Sequence, residues 1–184
     1  KALRDAGFEQ VPVISLNVVG MEKMPGFKLT PKMMDKMIKA VLLGDLLQKM
    51  LHKNRAYEVS KGDTDKVFDK WMEKSKKLVT KCTNSEFKQA IYDMVDDFEK
   101  IEVDMTNVKP KVGIVGEVLI KYHPFGNNYA AEMLEKEGAE VILPDFMGFV
   151  IFMATHKITF NSLLNINKTS AKISKIAIKL IDIL

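Results

Sequence analysis

The sequence predicts an α/β protein, a Rossmann-like parallel sheet unit carrying a helical insertion. Three short runs rich in β-branched residues have the length and flanking turn residues of buried strands: Val11-Pro12-Val13-Ile14-Ser15-Leu16, Val112-Gly113-Ile114-Val115-Gly116 and Ala139-Glu140-Val141-Ile142-Leu143-Pro144. One helical pattern separates the last two, so they read as a βαβ half-unit with parallel strands. Between the first run and the second, residues 30–105 show only helical periodicity. Residues 1–29 and 109–160 are therefore assigned to the α/β part, 30–105 to a helical insertion or cap, and 161–184 to a C-terminal amphipathic helix.

The chain opens on Lys1-Ala2-Leu3-Arg4-Asp5-Ala6-Gly7, which reads as the last turns of a helix closed by Gly7. A chain that begins inside a helix looks like a piece of a larger protein. After the first strand, residues 17–29 form a loop with Gly20, Pro25 and Gly26. Thr30 and Pro31 are a strong helix start, an N-cap followed by proline at the first helical position. This helix is expected to reach about His52, with Met34, Ile38, Leu42, Leu46 and Met50 as its apolar stripe and Met37, Val41 and Leu47 beside them. Gly62-Asp63-Thr64 restarts the chain into a second helix marked by Val67, Phe68, Trp71, Met72, Leu78 and Val79. A third begins near Ser85 with Phe87, Ile91, Met94, Val95, Phe98 and Ile101 at helical spacing, behind a Thr83-x-x-Glu86 capping box. Lys109-Pro110 ends this stretch. The strand ending at Gly116 leads into a loop, then a helix from near Asn127 to Glu137 closed by Gly138. From Phe146 the chain reads as apolar and irregular. A final helix is expected to turn Leu163, Ile166, Ile173, Ile176, Ala177, Leu180 and Ile181 inward.

Composition sets the outer bounds. With 47% hydrophobic and 28% charged residues, the chain is ordinary globular material, long enough to bury a core. A net charge of +4 is too mild for a nucleic-acid protein. The single cysteine, Cys82, forms no internal disulfide and points to a reducing, cytoplasmic setting. The longest apolar stretch, near residues 146–154, falls short of the roughly 18 residues of a membrane span, and the N-terminus has no signal-peptide pattern.

In open α/β sheets ligands bind beyond the carboxyl ends of the strands. That places the candidate ligand residues in the segment after the second strand: Gly116, Glu117, Lys121, His123, Asn127 and Asn128. Glu117 is a candidate base, His123 an acid or base, and Lys121 a phosphate contact, with the segment feeding a helix start that suits anions. The plainer alternative makes the asparagines helix caps and Glu117 and His123 ordinary surface groups. The two glycines of the strand do not form a dinucleotide fingerprint, which needs three glycines across the turn itself. The loop Asn17-Val18-Val19-Gly20-Met21-Glu22 can face the same cleft, although such glycines more often serve turn geometry alone. His52, His123 and His156 have no metal-ligand spacing among themselves or with Cys82. Cys82, at a helix start, is read as incidental rather than reactive. Lys168, Lys172, Lys175 and Lys179 line one face of the last helix, read as solvated rather than membrane-bound.

Several stretches together resemble one family. They are Asp5-Ala6-Gly7-Phe8 through Val11-Pro12-Val13-Ile14-Ser15-Leu16-Asn17, Gly44-Asp45-Leu46-Leu47 with Arg55-Ala56-Tyr57-Glu58, and above all Lys109-Pro110-Lys111-Val112-Gly113-Ile114-Val115-Gly116-Glu117. The last continues into Lys121-Tyr122-His123-Pro124-Phe125-Gly126-Asn127-Asn128 and Glu137-Gly138-Ala139-Glu140-Val141. These look like the large activase-related proteins of the 2-hydroxyacyl-CoA dehydratase group (2-hydroxyglutaryl-CoA dehydratase, benzoyl-CoA reductase) of anaerobic bacteria. The resemblance runs from residue 1 to about 150 and leaves the tail from about Thr155 unmatched.

The resemblance implies a parent that joins ATPase activator modules to a dehydratase-subunit-like region. Such a region binds a [4Fe-4S] cluster through cysteines and reduces acyl-CoA thioesters by ATP-driven single-electron transfer. The cysteine-bearing motif would precede Lys1, Cys82 matches no family cysteine, and the ATPase signatures are not found. On that basis this chain carries no cofactor itself and catalyses nothing alone, while the parent uses [4Fe-4S] and ATP. It is expected to work as an accessory domain for 2-hydroxyacyl-CoA dehydration or reduction. Its expected partners are other domains of the same polypeptide, acyl-CoA and a dehydratase subunit, not nucleic acid or membrane. The competing expectation is a non-catalytic docking module for a partner subunit. A stand-alone enzyme is disfavoured, because no nucleophile–base pair can be assembled from the motifs.

Overall fold

A computed structural model describes residues 2–8, 11, 30–164, 166 and 178, and the chain divides into two compact units, residues 1–35 and 36–184. In the first, helix α1 (Ala2–Asp5) ends as the sequence predicts. Gly7 takes the left-handed conformation, φ 81°, and lets Phe8 N–H donate back to the Leu3 carbonyl at 2.8 Å. The predicted strand lies outside the described residues except for Val11, which sits in a bend; the loop of residues 17–29, Asn17 to Glu22 included, lies outside them too. Helix α2 (Pro31–Arg55) then begins where expected, with the Thr30 hydroxyl accepting from Met33 N–H at 3.2 Å.

In the second unit, α2, α3 (Asp63–Lys81) and α4 (Asn84–Glu99) enclose one apolar core. Its deepest side chains are Leu43, Leu47, Trp71, Phe87, Met94 and Phe98, each at most 2% exposed. The predicted stripe of α2 is off by one position. Leu43, Leu47 and Leu51 are buried, while Leu42, Leu46 and Met50 pack at the margin. The cause is the nearly continuous apolar run Val41-Leu42-Leu43, which offers several stripes to a 3.6-residue period. The capping box at α4 forms as predicted: Thr83 Oγ1 accepts from Glu86 N–H at 3.2 Å, and Glu86 accepts from Thr83 N–H at 2.7 Å.

Trp71 is fully buried, and its indole N–H needs a partner. Asp97 on α4 supplies it at 3.0 Å while also holding Lys70 at 2.8 Å and Lys100 at 3.1 Å. Between α2 and α3, Tyr57 and Glu58 are buried. Glu58 bridges antiparallel to Val103, and its carboxylate accepts from the N–H groups of Gly62 and Thr64, both at 2.9 Å. Burial pushes the Glu58 carboxyl up, but these two N–H donors and the Lys61 charge outweigh it and leave the group below its ordinary value.

Strands β1 (Lys111–Gly113) and β2 (Glu140–Ile142) pair in parallel with Lys111 opposite Glu140, as the half-unit requires. Among the described residues these are the only two strands, and the chain is mostly helical. The second predicted strand is shorter and less buried than expected: Ile114 and Val115 leave it, and Val115 is 82% exposed. A three-residue strand paired along one edge has too little sheet around it to cover both faces. The predicted loop after it contains α5 (Val118–Tyr122) and a short 3₁₀ turn (Phe125–Asn127). The next helix, α6 (Ala130–Lys136), starts three residues later than predicted because Asn128 and Tyr129 are left-handed, φ 55° and 56°. Gly138, φ 91°, closes it.

The segment from Phe146 is not irregular. It is helix α7 (Phe146–Leu163), which runs through residue 160 without a break. Leu163 and Ile166, expected to face inward, are 79% and 45% exposed. Residue 178 is helical, but the other predicted inward residues and the four lysines of the tail lie outside the described residues. Among the described residues no helix is long and apolar enough to cross a membrane.

The Lys70 and Lys100 ammonium groups, with the indole N–H, hold the Asp97 carboxyl far below the usual carboxylate range. A depressed carboxylate adds stability that is complete above its unfolded value of about 3.9 and is lost as pH falls toward the folded value. Asp97→Ala, which strands a buried indole N–H, should cost about 1–3 kcal/mol at pH 7 in urea unfolding. The difference from the wild type should shrink below about pH 4. An unchanged unfolding free energy at pH 7 would remove Asp97 from the core's supports.

Candidate functional site

A cavity of 690 Å³ lies beside the carboxyl ends of β1 and β2, reached by Ile114 just after β1 and Leu143 just after β2. That volume falls within the range of about 300–1,000 Å³ typical of small-molecule sites. One wall is α2, through Val41, Gly44, Asp45, Leu51, His52 and Arg55; Phe68 and Met72 of α3 extend it. Val118, Leu119, Lys121 and Tyr122 of α5, with the turn behind them, form the facing wall.

Polar contacts fix both walls. On α2, Asp45 turns its two carboxylate oxygens to the first amides of α7, accepting from Phe146 N–H at 2.9 Å and Met147 N–H at 2.8 Å. Asp145 takes the third, from Gly148, at 3.1 Å. These amides have no partner within a helix, and carboxylates at that end suit its dipole. One turn from the end of α2, buried His52 places Nδ1 2.7 Å from Glu135 Oε1 on α6. Arg55 binds the other oxygen of Glu135 at 2.8 Å and reaches Asp65 on α3 at 3.1 Å. Tyr57 then donates its hydroxyl to Glu140 on β2 at 2.9 Å and accepts from Lys109 N–H at 3.1 Å.

Of the six residues predicted from the sequence, the fold brings Lys121, His123 and Asn127 to this cavity. Gly116, Glu117 and Asn128 are exposed and do not line it. Glu117 is the N-cap of α5; its carboxylate accepts from Leu119 N–H at 2.8 Å, more distantly from Ile120 N–H, and is committed to that role. Asn127 supports the turn, accepting from Ala130 N–H at 3.2 Å, and Asn128 is a left-handed turn residue. His123 accepts from Gly126 N–H at 3.0 Å through Nδ1, so the neutral ring carries its proton on Nε2. Lys121 is 8% exposed. Among the described residues its ammonium has no hydrogen-bond or carboxylate partner, only the ring faces of Tyr122 at 4.6 Å and Phe149 at 6.0 Å.

Sequence reading missed the α2 wall, where Gly44 is the informative residue. Glycine in the middle of a helix costs stability. Yet a Cβ at Gly44 would meet nothing within 4 Å. No packing contact demands the glycine; what it does is keep this wall of the cavity low. The mid-helix glycine itself was the available signal.

A [4Fe-4S] cluster takes about four thiolates. The chain has one cysteine, and Cys82 packs against the three-helix core. Among the described residues no group of three or more His, Cys, Asp or Glu side chains is placed to hold a metal ion. These residues do not fit such a cluster. Comparison with protein-family models, with curated proteins and with solved structures finds no match.

Two substitutions separate the wall's stability from its openness. Gly44→Ala should stabilise the chain by about 0.5–1 kcal/mol, because the helix gains and nothing clashes. Glu135→Ala should destabilise it by about 2 kcal/mol, by leaving His52 and Arg55 without their shared carboxylate. Thermal or urea unfolding reads both, and opposite signs from these would show the wall to be built otherwise.

Proposed function

We propose that this chain is a non-catalytic accessory domain of a protein related to the activators of 2-hydroxyacyl-CoA dehydratases, where it supplies one wall of an acyl-thioester cleft. The observation that carries this is the cavity beside the strand ends, built in large part from the segment that bears the resemblance. Ile114, Lys121, Tyr122, His123, Pro124 and Asn127 all line it. Its remaining lining is mainly apolar, with Val41, Phe68, Met72, Leu119 and Leu143, as an acyl chain would need. On this reading the parallel pair and its helices are part of a Rossmann-like unit. The protein works in the cytoplasm, and the [4Fe-4S] cluster and ATP site belong to other parts of the parent.

A second reading has support of its own. Helix α7 is rich in apolar residues with no single polar face, and Phe152, Met153, Phe160 and Leu163 are about half exposed or more. A helix of that kind is normally buried. This favours a docking module whose α7 meets a partner subunit.

Calorimetry of the 184-residue chain with hexanoyl-CoA and with free CoA separates the two. The cleft reading expects hexanoyl-CoA to bind, free CoA to bind at least about tenfold more weakly, and Gly44→Phe, which fills the cavity, to abolish the difference. No binding of hexanoyl-CoA, or equal binding of free CoA, removes the acyl cleft and leaves the docking module.

A further inference from the structure

We infer that the cavity is a site for an amphiphilic carboxylate, with Lys121 as the residue that takes its head group and the apolar wall of α2 and α3 as the bed for its tail. This goes beyond the thioester reading and does not need it: it concerns which end of a ligand is charged and where that end sits.

A buried ammonium is normally paired, because taking the charge out of water costs several kcal/mol unless hydrogen bonds replace the lost hydration. The basic groups of the α2 wall have carboxylate partners. Arg55 is shared between Glu135 and Asp65, and His52 faces Glu135. Lys121 is 8% exposed as a residue, and among the described residues its ammonium rests only against the faces of Tyr122 and Phe149; the Nζ atom itself is not cut off from solvent, so its donors are open to water or to a ligand. Ring faces hold a cation in place without using its three N–H donors.

Of the carboxylates around the cavity, Asp45 and Glu135 are engaged elsewhere, while Glu132 lies exposed on its lining. Both oxygens of Asp45 serve α7, and both oxygens of Glu135 serve α2. An anion entering the cavity would therefore meet a cation with free donors in weakly polar surroundings, where charge-assisted hydrogen bonds are strongest. His123 adds a second donor on the same cavity wall, since its Nδ1 is occupied by Gly126 N–H and its proton lies on Nε2. The rest of the lining sets the other half of the ligand. Val41, Leu51, Phe68, Met72 and Leu119 offer apolar surface, and Gly44 leaves room along it. One cation with an apolar bed suits a monoanion with an aliphatic tail better than a polyanion.

The test uses the whole 184-residue chain and three ligands of equal tail length: octanoate, octanol and octyl phosphate. Octanoate should bind at least about tenfold tighter than octanol. Lys121→Met should bring octanoate to the octanol level and leave octanol itself unchanged. Equal binding of octanoate and octanol by the wild type overturns the inference without recourse to any variant, as does undiminished octanoate binding by a folded Lys121→Met. Octyl phosphate binding tighter than octanoate overturns the carboxylate assignment. Octanoate binding without hexanoyl-CoA binding would sink the thioester reading and leave this one standing; the reverse pattern would do the opposite.

Discussion

A parallel pair of three-residue strands cannot stand by itself, and here it depends on the polar grip of one helix. From Asp45 to Tyr57, the second half of α2 and the residues just after it reach across to α7, α6 and β2 through Asp45, His52, Arg55 and Tyr57. Each contact involves a charged group with little exposure, the kind of hydrogen bond worth about 1.5–3 kcal/mol. Each also spans 80 residues of sequence or more, so none can form from local structure alone.

The same helix serves two different kinds of neighbour. Leu43 and Leu47 enter the core with Trp71, Met94 and Phe98, where each buried side chain contributes about 1.5–3 kcal/mol by leaving water. That core closes on its own through α3, α4 and their caps. The cavity side has less apolar burial: Val141 and Met147 are buried there, but much of the remaining surface is open. Stability is therefore uneven. The three-helix part is held by packing, and the α/β part by a handful of oriented contacts that sit beside the cavity. Binding sites commonly lie on the less stable side of such a boundary, since a wall held by few contacts can adjust to a ligand.

What the sequence revealed follows the range of the interactions involved. Caps are local, and Thr30-Pro31, Thr83 with Glu86, Gly7 and Gly138 were all legible because the partners lie within a few residues. The helix α7 was not, since two of its three leading amides are satisfied by Asp45, 101 and 102 residues away, and its composition has no polar face to betray a period. The short helix α5 was hidden in an expected loop, although its cap, Glu117, stood among the candidate residues in a different role. At the site, Lys121, His123 and Asn127 were found from one rule, that ligands gather after strand ends. The facing wall left one local signal, the glycine in the middle of α2. Gly44 and Asp45 belong to a helix that reads as ordinary, and only the fold shows that one leaves space and the other anchors a second helix.

The groups around the cavity divide into committed and free. A general base needs an oxygen or nitrogen able to take a proton from a ligand. Asp45 and Glu135 have both oxygens occupied, and Glu117 is spent on its own helix and stands off the cavity. The His123 acceptor nitrogen is filled by Gly126 N–H, leaving that ring a donor. Glu132 lines the cavity and is exposed. The donors available toward the cavity include the Lys121 ammonium and the His123 N–H, set on a mainly apolar lining that also carries Glu132. Such donors can orient and neutralise an anion.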